Sequence, residues 1–517
     1  MTIVKGTDGL PLLPSIQSFY SFSRQTTQRQ VHGLEQVSRQ STSEPRCLPK
    51  RGTKPSKEDK KTTRQKQSDR TANRMANTAN TINTVPFGEP GYLRGLPSPY
   101  FQPTHLAFQK RARAWFAEHY LPYALEWETA GTVPEHLWHT FNKANMLLPN
   151  LKSPLPVQWL RRLGLNDILG VPVEEWDYLH TAIWVDERAR TGISGPGSSL
   201  TPGFAYAIPP ILNFGSSRLQ ERFLPDLLTG KARACIAITE PQAGSDVANV
   251  QTTAVKSKDG KSYVINGEKK WITNGIWSDY SVMAVRTGGQ GPGGISVVVV
   301  PLKGYPGVTM RRLQVSGQQA GGTTYIELDD VKVPVENLVG EEGQGMKYIM
   351  TNFNHERLLI AMGVTRQARV ALSTAAEYAM KREAFGKTLM DQPVVRHRLA
   401  KAGADLETLQ AWIFEFAYQL NHLTKAEADE RLGGPTALLK AKAGMVFNDC
   451  AQTAVLIFGG NGYTRTGQGE LVEKIYRDVM GARIPGGSED VLLDLAVRQL
   501  VKNFQRDAKK GLSKSKI

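Results

Sequence analysis

The hydrophobic period of this chain changes twice, and that constrains its fold more than any other feature. From about residue 100 to 230 apolar residues recur three or four apart, as in LAFQKRARAWFAEHYLPYALEWE, HLWHTFNKANML, WDYLHTAIWVDERART and SSRLQERFLPDLL, the spacing of helices with one buried face. From about 233 the period drops to two. CIAIT, SYVIN, KKWIT, DYSVMAV, ISVVVVPL and TTYIELDDVKVP are short, β-branched and separated by Gly, Pro, Asn and Asp. No helical stretch interrupts these runs, so they predict an antiparallel barrel or sandwich rather than a parallel sheet. Asn266-Gly267 reads as a two-residue hairpin turn between SYVI and EKKWIT. After about 345 the helical spacing returns: Val395, Leu399, Ala402, Leu406, Leu409, Ile413, Phe416 and Leu420 form the seam of a bundle helix, with further helices over 435–458 and 487–506.

The charge is uneven. Residues 1–75 hold 15 Lys and Arg against 6 Asp and Glu, a net of +9 out of +16 for the whole chain, so more than half the excess sits in one segment. That segment is rich in Gln, Ser, Thr and Lys and has little apolar surface to bury, so it is expected to be a disordered basic tail. Three readings of it stay open: a nucleic-acid arm, an organelle presequence, or an extension ahead of a natural start at Met75. No apolar run approaches the roughly 18–20 residues of a membrane helix, and no membrane partner is expected. Cys47, Cys235 and Cys450 are far apart without metal-ligand spacing, which argues against a disulfide framework or zinc site.

Two stretches carry chemistry on their own residues. AITEPQAGSDVAN (237–249) leaves a strand into a loop of small residues, where hydroxyls at Thr239 and Ser245 and the backbone at Ala243 and Gly244 suit a polar heterocycle or a phosphate. In KKWITNG, Trp271 and Thr273 flank Ile272, so on a strand an indole and a hydroxyl share a face. A plain turn and a core Trp are the bland alternatives. In TNFNHERLLIA (351–361), Glu356-Arg357 stands where a polar segment gives way to an apolar one, which by itself reads as a solvated pair at a helix start.

AITEPQAGSD, KWITNG, KREAFGK (381–387) and IFGGNG (457–462), in this order and spacing, resemble the flavin-dependent acyl-CoA dehydrogenases, and the likeness runs from about residue 100 to 505. The resemblance implies an α+β multidomain fold: an N-terminal helical domain (86–232) after a tail (1–85), a central antiparallel β-barrel domain (233–342), a C-terminal four-helix bundle (343–506) and a Lys-rich tail (507–517). It implies FAD between the last two domains and across a subunit contact, hence a homodimer or homotetramer. Ile238, Thr239, Gly244 and Ser245 would line the flavin, Trp271 and Thr273 would pack on it and hydrogen-bond to it, and Arg382 and Phe385 would reach the FAD of a neighbouring subunit. Gly459 and Gly460 would let the dinucleotide approach, and Ser488 and Asp490 would make further flavin contacts. Ser245, Asn354, Arg357, Gly486 and Gly487 would contact an acyl-CoA substrate. The electron acceptor would be an electron-transfer flavoprotein or, in an oxidase, oxygen.

The sequence departs from the family at three points. Leu456 stands where the family usually has Gln before IFGGNG, so one polar FAD contact is missing, and DQPV puts Gln392 one residue early with Pro393 in its place, so a second is displaced. Gly486, in ARIPGGSEDV, occupies the position where many members carry the catalytic Glu. A glycine cannot take a proton, although its N–H remains as a donor to the thioester oxygen, a role the family shares with a ribityl hydroxyl of FAD. In the isovaleryl-CoA and long-chain branches the base comes from another helix, one residue before an Arg and ahead of an apolar run, which is the position of Glu356. The resemblance therefore implies removal of the α-proton by Glu356 and hydride transfer to flavin N5, giving a 2,3-enoyl-CoA. One damage-response branch of the fold binds nucleic acid instead, but nucleic acid is not the expected partner here because the charge is concentrated in the tail. The C-terminal Ser515-Lys516-Ile517 differs from the peroxisomal SKL signal by one residue, so a peroxisomal location is expected, with mitochondrion or cytoplasm as alternatives.

Overall fold

A computed structural model describes residues 81–509 and Gly511. Residues 1–80, 510 and 512–517 lie outside the description, and with them Cys47, Met75 and Ser515-Lys516-Ile517. Residues 81–84 are exposed and packing sets in around Val85–Phe87: Asn83 N–H donates to Glu89, the Phe87 carbonyl accepts from Arg369, and buried Glu89 bridges Arg113 at 3.0 Å and Arg366 at 2.9 Å.

In the N-terminal part, helices α1 (Pro103–His119) and α2 (Tyr178–Ala189) pack together, and α3 (Ser217–Leu228) leads into the sheet. Phe108, Ala112 and Phe116 recur every fourth residue on α1, so one face is buried. Asp177 caps α2 by accepting the His180 N–H at 2.9 Å.

Seven strands follow: β1 (Ala234–Ala237), β2 (Thr253–Lys256), β3 (Ser262–Ile272), β4 (Tyr280–Arg286), β5 (Ile295–Pro301), β6 (Val308–Arg312) and β7 (Thr324–Pro334). They make one curled sheet in the order β1-β4-β2-β3-β7-β6, with β5 on the other edge of β4. Pairing is antiparallel except for β1 with β4 and the single contact of β2 with β4 at Arg286. These two are parallel because the chain passes through the β2–β3 hairpin before laying β4 beside β1.

The expected hairpin at Asn266-Gly267 is not where the chain reverses. Strand β3 runs through both residues, paired with β2 on one side and β7 on the other, with a bulge between Ile265 and Gly267. A Cβ on Gly267 would stand 2.7 Å from Thr252 Cα, so glycine serves close strand approach rather than a turn. Asn266 instead exchanges hydrogen bonds with Asp330. The reversal falls at Asp259-Gly260, where Gly260 has φ 69°.

Helices α4 (Gly345–Lys381), α5 (Pro393–His422), α6 (Gly433–Phe458) and α8 (Glu489–Lys509) form the C-terminal bundle around α6, joined by α7 (Glu470–Arg483). The seam from Leu399 through Leu406, Ile413 and Phe416 on α5 is buried. Helix α8 continues past the expected boundary at 506 to Lys509.

Candidate functional site

The fold gathers the expected site residues into three groups. In the first, the loop after β1 is pinned to the end of β3: the Thr239 hydroxyl donates to the Lys270 carbonyl at 2.6 Å and the Lys270 N–H donates to the Thr239 carbonyl at 2.9 Å. The Thr239 proton is thereby committed, leaving its oxygen only as an acceptor. Beneath this contact lies a pair that sequence reasoning missed. Glu240 and Lys269 are both fully buried at 2.6 Å; Glu240 also accepts from Gln251 N–H and from the N–H and hydroxyl of Thr252, and Lys269 donates to the Ile238 carbonyl. Burial pushes the Lys269 ammonium down to about 8 against the pull of Glu240.

Trp271 and Thr273 do not alternate along one strand face as expected. The register breaks between Lys269 and Ile272, Trp271 has φ 63°, and β3 ends before Thr273. A bulge re-aims side chains, so period-two reasoning fails across it. The indole is 47% exposed beside Lys270, while Thr273 turns into a cavity. Gly244 and Ser245 are exposed, Ile238 is half-buried, and a Cβ on Gly244 would meet nothing within 4 Å. Together these leave an open backbone edge beside an available indole, a combination that fits a flat heterocycle such as a flavin.

The second group lies at the far end of α4. Arg382 and Phe385 sit on a tight hairpin, both exposed, with Phe385 at φ 55° and 94% exposed. Tyr378 stacks on Phe458 at 4.0 Å and accepts from Asn461, which ties this hairpin to Gly459 and Gly460, again glycines whose missing Cβ faces open space. Leu456 is exposed here, and Pro393 is the first residue of α5 with Gln392 as its N-cap. From Glu356 to Arg382 is 26 residues of helix rise, about 39 Å.

The third group surrounds Glu356. The pair Glu356-Arg357 lies well inside α4 and is buried, not solvated at a helix start. Glu356 accepts from Asn352 Nδ2 at 3.3 Å, and Arg357 donates from Nε to the Gly486 carbonyl at 2.9 Å and approaches Asn354 Oδ1. Burial raises the Glu356 carboxyl to about 7, opposed by Asn352 and Arg357. Lys440 Nζ donates to the carbonyls of Arg483 and Gly487, which fixes the turn 484–488; burial, then neighbouring Arg357, holds its ammonium down at about 8. Gly486 and Gly487 have φ 71° and 105°, and a Cβ on Gly486 would press on Ile360 at 3.0 Å, so the turn lies directly against α4. No acceptor for the Gly486 N–H is found among the described residues. Ser488 begins α8, its carbonyl accepting the Leu492 N–H, and Asp490 is exposed in the first turn. Glu489 is held by Arg483. Asn352 and Lys440 were not found from sequence; Asn352 stands four residues before Glu356, a spacing that puts both on one helix face, whereas nothing local marks Lys440.

A cavity of about 150 Å³ is bounded by Leu359 and Ile360, one turn beyond Glu356 on α4, by Thr273, by Ala205 and Tyr206, and by Pro485. Asn352 donates to the Ala205 carbonyl as well as to Glu356, so the carboxyl and this cavity wall share one anchor. Burial, then nearby Glu356, raises the Tyr206 phenol above its usual range.

Family models for the acyl-CoA dehydrogenase middle domain and C-terminal domain match residues 235–331 and 343–501. The chain is 71% identical over 436 residues to the acyl-CoA dehydrogenase apdG of Emericella nidulans, covering 84% of this chain and 99% of that protein. It is 30% identical over 406 residues to the mitochondrial long-chain specific acyl-CoA dehydrogenase of Mus musculus, covering 78% and 87%. The crystal structure of an acyl-CoA dehydrogenase from Geobacillus kaustophilus aligns with a TM-score of 0.68 at 28% identity, over 78% of this chain and all of that one.

Proposed function

Since the chain belongs to the acyl-CoA dehydrogenase family and is an FAD-dependent oxidoreductase, we propose that it converts an acyl-CoA to its 2,3-enoyl-CoA with Glu356 as the base that takes the α-proton. The observation that carries this reading is a buried carboxyl, raised to about 7, whose helix lines a cavity and whose neighbour Arg357 binds the turn that holds Gly486; Asp478, also buried and raised to about 7, has its two oxygens taken by the N–H groups of Ser194 and Gln318. A base with a value near the working pH is half available and strong enough to remove a proton next to a carbonyl. Gly486 N–H, with no internal acceptor, would donate to the thioester oxygen as charge develops there. Arg357, held on the Gly486 carbonyl, would fix the distance between that donor and the base. When bound, FAD supplies the two-electron acceptor for the hydride leaving the β-carbon. Ile238, Thr239, Gly244, Ser245, Trp271 and Thr273 would hold its ring end, with Ser488 and Asp490 beyond it, while Asn354 and Gly487 would border the thioester.

Anaerobic mixing of the FAD-loaded protein with short, branched and long acyl-CoAs tests the reading. Bleaching of the oxidised flavin band is expected with one class; no bleaching by any of them would overturn it. Re-exposure to air or to an electron-transfer flavoprotein then identifies the acceptor. The bleaching rate should rise with pH through about 7, because the carboxyl works as a base only after losing its proton. A flat profile from pH 5 to 9 would place the base elsewhere.

We further propose that Arg382 and Phe385 serve the FAD of a second copy of the chain. The supporting observations are their separation of about 39 Å along α4 from Glu356 and the exposure of Phe385, Leu456 and Tyr463. Arg382→Ala should lower flavin content after gel filtration several-fold while the fold stays intact by circular dichroism. Unchanged flavin content would count against a cross-subunit contact.

A further inference from the structure

Arg188, on α2, lines the same cavity as Leu359 and Ile360 of α4. It makes no hydrogen bond or ion pair among the described residues, and its Nη1 is buried without a partner. The adjacent Glu187 is committed to Arg113 and Arg190. Trp184 covers one face of the guanidinium, its ring centroid 4.7 Å from Cζ. The titratable groups facing it are Tyr120 and Tyr206, and burial keeps both phenols in their neutral form, so neither balances the charge. Gly197 leaves the approach open: a Cβ there would stand 3.4 Å from the Tyr120 hydroxyl and 3.6 Å from Arg188 Cζ.

A half-buried guanidinium whose Nη1 is sealed from water without an anion is costly, and its planar fork matches a carboxylate better than any neutral acceptor. The cavity it lines is walled at the other side by Leu359 and Ile360, one helical turn beyond Glu356. We propose that Arg188 anchors a carboxylate at the far end of the acyl chain, so that the preferred substrate is an ω-carboxyacyl thioester. The assignment rests on the dehydrogenation reading of the same site. Tyr120 would add a hydroxyl donor to the same carboxylate.

The test compares adipoyl- and suberoyl-CoA with hexanoyl- and octanoyl-CoA and the ω-hydroxy analogues, using the FAD-loaded full chain. Flavin reduction should favour an ω-carboxy thioester over its unsubstituted counterpart by at least about tenfold in kcat/KM, the range of a hydrogen bond to a charged group. Arg188→Met should remove that preference mainly through KM while leaving the unsubstituted thioester within about twofold, and Arg188→Lys should keep part of it. The Met variant should melt no lower than the wild type, since it removes a charge with a buried, unpartnered Nη1. Equal or poorer use of the ω-carboxy thioesters, a stronger preference for the ω-hydroxy analogues, or a preference that survives Arg188→Met would overturn the anchor. So would a Met variant that unfolds or loses FAD, because Arg188 would then be structural. If no thioester reduces the flavin, the dehydrogenation reading fails by itself, and calorimetric binding to Glu356→Gln decides the anchor. Tighter binding of adipoyl-CoA that depends on Arg188 upholds it, and equal binding of adipoyl- and hexanoyl-CoA overturns it.

Discussion

Glu356→Gln should retain FAD and lose flavin reduction by about 10²–10⁴-fold, the usual contribution of a general base. Glutamine keeps the size of the side chain and an oxygen for the Asn352 amide, so only the charge and the basicity change. Stability should move the other way. The folded carboxyl is raised from 4.5 to about 7, so the unfolded chain releases its proton first and stability falls as pH climbs through that window, then stays level above it. Glutamine removes this loss, and above pH 7 the variant should be more stable by no more than about 3 kcal/mol. Stopped-flow reduction and thermal melting at pH 6 and 8 separate the two effects. A variant that still reduces its flavin at the wild-type rate would move the base to another carboxylate, with Asp490 and the Arg483-bound Glu489, just after Gly486, as candidates.

Lys269→Met should destabilise the protein by about 3–5 kcal/mol, the usual consequence of removing one member of a fully buried ion pair. Glu240 would keep its hydrogen bonds from Gln251 and Thr252 but lose the only cation in contact with it among the described residues, and the Ile238 carbonyl would lose a donor. Since that carbonyl and Glu240 belong to the loop from Ile238 to Ser245, FAD should dissociate before the chain unfolds. Flavin fluorescence, which rises on release, should therefore change at a lower temperature than circular dichroism. The double variant Lys269→Met with Glu240→Gln should recover much of the lost stability, because no buried charge remains without a partner. A single variant as stable as the wild type would show that the pair does not hold the loop.

What the sequence determined by itself is whatever depends on neighbours a few residues apart. The order of helical, strand and helical regions follows from hydrophobic period, and the seam from Leu399 to Phe416 faces inward because its spacing lets it face nowhere else. The linked motifs around Thr239, Trp271, Arg382 and Gly459 were legible for the same reason, as was a glycine at 486 together with a glutamate at 356 ahead of an Arg. Tertiary structure decided the rest. Asn266-Gly267 has the local chemistry of a turn but is clamped between two strands, and the approach of Thr252 uses the glycine for packing instead. Trp271 leaves the face that alternation assigns it because a bulge intervenes. The buried partnership of Lys269 with Glu240, the contact of Arg357 with Gly486 across 129 residues, and the solitary Arg188 in its cavity exist only once distant segments meet. A charge's cost or use depends on what desolvates it and what stands opposite, and both are set by packing that no local stretch of sequence encodes.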